Sequence, residues 1–400
     1  MKFYEYRKSE NKKVAKILGF PVLKQTVNFM TSERIQEFLG GLITTKKLYS
    51  LENESSNKET QFMGKPIISR FEENNCRIYS FCGKEYRKVS LVEQFKKRYI
   101  KYFNKEHDDI YILSANSGEI YLTLTYIIDA LIKKNGSKKP LLVATQKYHV
   151  DLIKMICPDL PHIYIKKLRL KIIGESFKVN DFRFFLLFDS NHFKQVEADI
   201  KSNDLGKHHY FKSILNRFDL KESDLGIRNI TVPADIEQSM IHKVTNIGLN
   251  LEKFVFLAPE AQSCMLYDED FWCSLIREFQ QKGYDVFVNL VDDEVKLKSA
   301  SGYKTCYLSF AEAFALAKRA KKIVSLRSGF TEFLTQTGVP ISVLYTKFRY
   351  RHVFNDMDSY HVMSGFGLVQ LPFVDVNKIQ EYNMFETSSR ECITKILAGF

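Results

Sequence analysis

The sequence predicts an α/β fold in which two domains each contain a strand, a turn, a helix and a second strand. Residues 323–345 form one such unit, with an apolar run, a polar turn, a helix-compatible segment and a second apolar run. Residues 109–144 show the same succession. Because strands that are apolar on both faces are typical of parallel sheets covered by helices, we interpret both stretches as βαβ units.

The polar turn of the later unit is predicted to bind a diphosphate. Open parallel sheets bind ligands at the carboxyl ends of strands, where the next helix presents free N–H groups and the positive end of its dipole. Arg327 adds a guanidinium suited to phosphate, Ser328 adds a hydroxyl, and Gly329 lets the backbone approach closely. The motif alone is weak, and the alternative is that Arg327 pairs with a nearby carboxylate.

The earlier unit supplies the candidate general base. Asn116, Ser117 and Gly118 form its turn, and Glu119 lies in the first turn of the helix that follows. A carboxylate at this position can take a proton from a substrate hydroxyl. The alternative is that Glu119 only compensates the helix dipole.

The first 105 residues are predicted to form a basic N-terminal region that faces the acceptor or a membrane. Residues 52–59 are polar and are predicted to form a loop. Residues 91–103 indicate a basic helix, whose cations either are solvated or contact anionic lipid head groups. Residues 19–23 and 64–68 share a Gly-x-Pro pattern, which is either a weak repeat or two chance turns.

Two basic aromatic segments are further candidates. Residues 207–212 predict either the start of a surface helix or a segment whose His208 or His209 faces an acceptor. Residues 347–352 follow a strand of the second domain and are either a solvated charge run or a phosphate contact. The last stretch, residues 376–397, is predicted to be largely helical.

Composition limits the class of protein. Apolar residues make up 45% and charged residues 26%, as in ordinary globular chains, and no apolar run reaches the ~18 residues of a membrane span. The net charge of +12 favours anionic partners, and because no nucleic-acid module is recognisable we expect no nucleic acid among them. Seven cysteines without CxxC spacing argue against a disulfide framework or a zinc site, so a reducing, cytoplasmic location is expected.

Three stretches resemble the heptosyltransferase-like group of bacterial GT-B glycosyltransferases, which includes enzymes of lipooligosaccharide and capsule biosynthesis. Residues 118–124 resemble its Gly-Asp-Val loop and helix, with Glu119 in place of the aspartate that serves as base. Residues 257–263 resemble its Pro-Gly-Ala-Ser loop, with Glu260 in place of a glycine. Residues 324–345 resemble its Asp-Thr-Gly turn, helix and Gly-x-Pro strand, with Glu332 in place of a histidine.

The resemblance covers residues 109–370 and implies a GT-B fold, in which a Rossmann-like acceptor domain (106–245) and a Rossmann-like donor domain (246–400) face a central cleft. Residues 1–105 have no counterpart in it and are interpreted as an N-terminal extension. It implies inverting hexosyl or heptosyl transfer from a nucleotide-sugar to a glycan or lipid-linked acceptor. Because no DxD-type metal site is evident, we expect neither metal nor cofactor, and the positive net charge fits a peripheral contact with the anionic surface of the inner membrane. The predicted donor-binding residues are Arg327, Ser328, Gly329, Glu260, Ser263, Lys347, Arg349 and Arg351, and the predicted acceptor-side residues are Ser117, Gly118, His208 and His209.

Two other functions stay open at this point. One is a pyruvyl or phospho-group transferase of similar architecture. Such an enzyme would turn over phosphoenolpyruvate, whereas a glycosyltransferase would turn over a nucleotide-sugar. The other is a catalytically inactive GT-B protein that binds a glycan or a partner enzyme, which need not bind any nucleotide.

Overall fold

The computed structural model describes residues 4–8, 12–17, 20–28, 33–49, 56–73, 76–104, 106–114, 116–166, 168, 176–187, 209–261, 264–290, 297, 300–347 and 359–399. The chain forms two compact units. The first comprises Met1–His107, Arg169–Lys194 and Arg351–Val353, and the second comprises Asp108–Leu168, Gln195–Tyr350 and Phe354–Phe400. In the described part of the chain, no helix combines the length and the apolar character that a bilayer span needs.

The first unit contains an antiparallel meander in which each strand pairs with the next one along the chain. The region predicted only as basic therefore has a regular β-architecture. The polar stretch predicted as a loop is corrected in part, because residues 56–59 belong to a strand, while residues 52–55 lie outside the described residues. The strands are β1 (Tyr4–Lys8), β2 (Lys12–Ile17), β3 (Phe20–Asn28), β4 (Glu33–Phe38), β5 (Ile43–Tyr49), β6 (Ser56–Phe62), β7 (Lys65–Glu73), β8 (Cys76–Phe81) and β9 (Lys84–Ser90).

The two Gly-x-Pro segments occupy equivalent places in the meander. Pro21 is the second residue of β3 and Pro66 is the second residue of β7. In each case the pairing with the preceding strand shifts register close to the proline. A proline cannot donate to the strand ladder, so a position beside an irregularity accommodates it.

The meander leads into helix α1 (Leu91–Tyr99), as the basic helical pattern predicts. The Ser90 side chain caps it by accepting from the Glu93 N–H. Phe95 packs edge-on against Phe177 and Phe184, with ring centroids 5.1 and 5.0 Å away, in the hairpin of β13 (Ser176–Val179) and β14 (Phe182–Leu186). These rings form the apolar core of the first unit, whereas the lysines and Arg98 in the last turn of the helix lie half-buried or exposed.

The second unit holds the parallel strands that the sequence predicts. Strand β10 (Asp109–Leu113) pairs with β11 (Pro140–Ala144), and β11 pairs with β12 (His162–Tyr164). The helix after β10 runs as α2 (Ser117–Leu122), a π-helical turn (Thr123–Ile127) and α3 (Ile128–Asn135), and it ends at Gly136 with a φ of +63°. Helix α4 (Lys147–Ile156) connects β11 to β12, and α5 (Tyr210–Arg217) and α6 (Ala234–Asn246) follow.

The other parallel sheet has the order β16-β15-β17-β18-β19. Its connection reverses direction at β15, because β16 and β17 lie on opposite sides of that strand. This arrangement is a topological switch point, the usual ligand position of open α/β sheets. The elements are β15 (Phe254–Ala258), α7 (Glu269–Gln281), β16 (Asp285–Val288), α8 (Phe310–Ala317), β17 (Ile323–Leu326), α9 (Gly329–Leu334), β18 (Ile341–Tyr345), α10 (Ser359–Phe366), β19 (Ile379–Asn383) and α11 (Ser389–Ala398).

One prediction is wrong at the C-terminal end. Residues 376–397 were expected to be largely helical, but Ile379–Asn383 form an edge strand parallel to β18. The edge of β18 offers backbone partners that outweigh the local helical preference. The division into two facing Rossmann-like domains at residue 245 stays a prediction. The parallel strands β10 to β12 and all strands from β15 to β19 belong to the second unit.

Candidate active site

The helices that follow β10 and β17 meet at their N-terminal turns, where Gly118 lies against Gly329. A Cβ atom on Gly329 would lie 2.6 Å from the backbone nitrogen of Gly118 and 2.8 Å from Oγ of Ser117. A Cβ on Gly118 would lie 3.0 Å from Cα of Gly329. Both glycines are therefore required by the close approach of two backbones. The two turns that the sequence singled out, more than 200 residues apart, form one place in the molecule.

Glu119 lies beside this contact and is half-buried. Burial, and next the negative charge of Glu332, raise the pKa of Glu119 to about 7. Its own backbone N–H, the Arg327 guanidinium and the Asn116 side chain act in the opposite direction. At neutral pH the carboxyl group therefore exists in both protonation states, which is what a general base or acid needs.

Arg327 is buried and held by three acceptors of the protein. Its Nε donates to the carbonyl oxygen of Phe366 at 2.9 Å, and its Nη1 donates to that of Ser328 at 2.6 Å. Its Nη2 forms an ion pair with Oε1 of Glu332 at 2.5 Å. The alternative weighed from the sequence, a pairing with a nearby carboxylate, is thus present. The guanidinium holds the turn after β17 from the inside and adds positive charge to it.

Glu332 connects the two halves of this network. Its Oε1 accepts from Arg327 and also from the hydroxyl of Tyr210. Its Oε2 is buried without a hydrogen-bond partner and is the nearest atom to a Cβ placed on Gly118. One carboxylate therefore anchors the arginine and at the same time repels negative charge on Glu119.

His209 lies at the start of a helix, and its acceptor contact stays a prediction. It is buried, its Nδ1 accepts from the Phe211 N–H at 3.2 Å, and its Nε2 lies 2.8 Å from the carbonyl oxygen of Gly367. Burial, and next the charge of Arg327, lower the pKa of His209 to about 3, so the ring is neutral. As the N-cap of α5 it fixes Tyr210, the next residue, against Glu332.

The other predicted donor residues lie on neighbouring strand ends. The register Ala258↔Ser325 and Leu326↔Leu344 places the carboxyl ends of β15, β17 and β18 side by side. Glu260 follows the first of these strands and Lys347 the third, and both side chains are half-buried. Ser328 caps α9, with its Oγ accepting from the Thr331 N–H. The predicted site residues Ser263, Arg349, Arg351 and His208 lie outside the described residues.

Two partners of the site were missed from the sequence. Tyr210 lies in a segment predicted only as basic and aromatic, and its contact with Glu332 has no local signal. Tyr148 stacks on Phe310 with ring centroids 6.5 Å apart, and burial, then the charge of Glu119, raise its pKa to about 12. Both contacts are between elements distant in sequence, so only the tertiary structure brings them together.

Within the described ranges, no three His, Cys, Asp or Glu side chains lie together in a way that could hold a metal ion. The groups gathered around Glu119 are instead a cation, a second carboxylate and tyrosine hydroxyls. Such a set of groups can move a proton and stabilise negative charge.

No protein-family profile matches this sequence, and no curated protein matches it. Among solved structures, the chain is similar to the glycosyl transferase family 9 protein of Veillonella parvula, with 11% identity over 60% of this chain and 82% of that one and a TM-score of 0.41. It is also similar to ADP-heptose LPS heptosyltransferase II of E. coli, with 10% identity, coverage of 73% and 98% and a TM-score of 0.43. The iron-containing dodecameric glycosyltransferase TibC of enterotoxigenic E. coli gives 11% identity, coverage of 86% and 82% and a TM-score of 0.43. At TM-scores below 0.5 these similarities assign no function to this chain.

The glycine contact predicts a stability difference between two Gly-to-Ala variants. Gly329→Ala is expected to lower the free energy of unfolding by about 1–3 kcal/mol, because the added methyl group would overlap the backbone of Gly118. Gly226→Ala is the matched control, because nothing lies within 4 Å of its added carbon. Urea unfolding measures both. Equal effects of the two substitutions would contradict the close contact.

The raised pKa of Glu119 predicts a pH-dependent gain in stability for Glu119→Gln. The folded protein keeps this proton up to about pH 7, whereas the unfolded chain releases it near 4.5. The stability contributed by the group is therefore complete below the unfolded value and is lost as the pH rises through the folded value. We expect equal melting temperatures for wild type and variant near pH 4 and a higher one for the variant at pH 8.

Melting curves by differential scanning calorimetry test this expectation. Glu93→Gln, an exposed glutamate in the first turn of α1, serves as the control. If the difference between Glu119→Gln and wild type stays constant from pH 4 to pH 8, the burial of the carboxyl group is not as described.

Proposed function

We propose that this chain is a glycosyltransferase that moves a sugar from a nucleotide-diphosphate donor to a hydroxyl group of a glycan or lipid-linked acceptor. The single observation that carries the proposal is the position of Glu119. This carboxyl group, with a pKa of about 7, lies against the turn that follows β17 at the switch point of a parallel sheet. Open α/β sheets bind nucleotides at their switch points. The proposed general base, Glu119, therefore lies next to the position at which we expect the nucleotide.

In the proposed reaction, the acceptor hydroxyl oxygen attacks the anomeric carbon of the donor sugar. A new C–O bond forms as the bond to the diphosphate oxygen breaks, and the electron pair leaves with the diphosphate. The carboxylate of Glu119 takes the hydroxyl proton. Attack from the side opposite the leaving group inverts the anomeric carbon, and the proposal includes no metal ion.

The leaving diphosphate gains negative charge that the protein must stabilise. We assign this to the edge formed by the ends of β15, β17 and β18. Lys347 is half-buried there and suits direct contact, and the Ser328-Gly329 backbone begins helix α9 beside it. Arg327, engaged by Phe366, Ser328 and Glu332, contributes its charge and holds the turn in place.

The acceptor class follows from the resemblance described above and from the net charge of +12. A polyanionic lipooligosaccharide or capsule precursor, presented at the cytoplasmic face of the inner membrane, is the class we propose. In this proposal, the side chains around the switch point determine which nucleotide base, sugar and linkage the protein selects.

The base assignment predicts that Glu119→Gln lowers transfer to the acceptor by about 100-fold or more, because loss of general base catalysis costs this order of rate. Binding of the donor nucleotide should be unchanged, since the amide occupies the same volume. Product formation from a panel of nucleotide-sugars measures transfer, with Glu93→Gln as control. Full activity of Glu119→Gln would remove Glu119 from the base role.

The donor edge predicts binding of a nucleoside diphosphate. In a thermal-shift screen against UDP, GDP and ADP, with the monophosphate CMP beside them, we expect one of the diphosphates to raise the melting temperature. Lys347→Ala should lower the affinity for that nucleotide about tenfold or more, because a charged contact to phosphate is lost. Lys318→Ala, an exposed lysine after α8, is the control.

The same screen separates the rival functions. A response to phosphoenolpyruvate with none to nucleotides would favour the pyruvyl transferase. No response to any of these ligands would favour a protein that binds a glycan or a partner without catalysis.

A further inference from the structure

The first unit presents a row of hairpin tips at one end of its meander. In an antiparallel meander every second connection lies at the same end, so the turns between β4 and β5, β6 and β7, and β8 and β9 are neighbours. One backbone hydrogen bond joins two of these tips, and a second joins the β8–β9 tip to strand β7. The Met63 N–H donates to the Leu42 carbonyl oxygen at 2.9 Å, and the Cys82 N–H donates to that of Ile67 at 2.7 Å.

These tips carry large apolar side chains in contact with solvent. Met63 is 71% exposed and Phe81 is 54% exposed. Ile68, itself exposed, pairs directly with Phe81 across β7 and β8, so the apolar surface is continuous between neighbouring tips. The surfaces of soluble proteins rarely expose a continuous row of large apolar side chains unless these side chains contact a partner. We define the tip edge as Leu39, Leu42, Phe62, Met63, Phe81 and Cys82.

The backbone conformation at the tips does not favour the residue types found there. Leu39, Met63 and Cys82 have φ values of +50°, +48° and +48°. In this left-handed region asparagine and glycine are favoured, and other residues cost conformational energy. Two of the tips share the sequence Phe-x-Gly-Lys, with Met63 or Cys82 at the variable position. An exposed apolar residue held in an unfavourable conformation indicates a contact made by its side chain.

Charge narrows the class of partner. Residues 1–107 contain 22 Lys and Arg and 12 Asp and Glu, so their net charge is +10, most of the +12 of the chain. Lys65 and Lys84 are exposed and directly follow the glycines of two tips. Apolar side chains at an edge, flanked by lysines, match a bilayer surface with anionic head groups, where the apolar groups enter the acyl boundary and the lysines meet phosphate.

We propose that the tip edge docks this chain on an anionic lipid bilayer. The inference does not depend on the proposed catalytic function, because it rests only on the first unit. A bilayer fits better than a second copy of the chain, because two copies meeting at these edges would bring their lysines together.

Vesicle co-sedimentation of the full chain tests the proposal. The vesicles are phosphatidylcholine alone, or phosphatidylcholine with about a quarter phosphatidylglycerol. We expect binding to the anionic vesicles and little to the neutral ones. The double variant Met63→Asn, Cys82→Asn should bind the anionic vesicles about tenfold more weakly. Because Asn-Gly is the preferred sequence for such turns, this variant should melt at the same temperature as wild type or higher.

Phe373→Asn is the matched control, because Phe373 is 55% exposed and has a φ of +61° but belongs to the second unit. It should bind vesicles like the wild type. Two binding results would overturn the proposal: no binding of the wild type to anionic vesicles, or equal binding of the wild type and the double variant. A third result would also overturn it, namely that the wild type forms oligomers and the double variant is monomeric, while vesicle binding is the same for both. The last result would assign the tip edge to a second copy of the chain.

Discussion

The contact between Gly118 and Gly329 is the constraint on which the candidate site depends. It lets the backbones at the start of α2 and α9 approach to a distance that any side chain would prevent. Two turns that follow parallel strands of different sheets therefore lie against each other, and the charged groups of one turn act on those of the other. Without this approach, Glu119 at the start of α2 would lie apart from Arg327, which directly follows β17.

The charged side chains at this contact lie close together and are removed from solvent to different extents. Two carboxylates, Glu119 and Glu332, lie near one guanidinium, and Glu332 is bonded to it directly. Glu332 forms the ion pair with Arg327, whereas burial and next the charge of Glu332 raise the pKa of Glu119. The hydroxyl of Tyr210 donates to the same carboxylate of Glu332, and His209 caps the helix that begins at Tyr210.

The sequence was sufficient to place the buried strands and the turns between them. Ile323–Leu326 and Ile341–Tyr345 agree with prediction, because short apolar runs bounded by turn residues carry a strong local signal. The meander of the first unit escaped prediction, since its strands are half-exposed and rich in lysine. The repeated Phe-x-Gly-Lys turns were the available signal, and β19 was missed because only its neighbour β18 makes it a strand.

By itself the sequence determined that polar turns follow parallel strands, that a carboxylate opens one helix and an arginine precedes the other, and that the chain is strongly basic. Only the tertiary structure decided that Arg327 is bonded to Glu332, that His209 is a buried cap, and that Tyr148 and Tyr210 belong to the site. The physical reason is distance along the chain. Local patterns fix backbone conformation over a few residues, whereas burial, pairing and pKa depend on which distant segments pack against them.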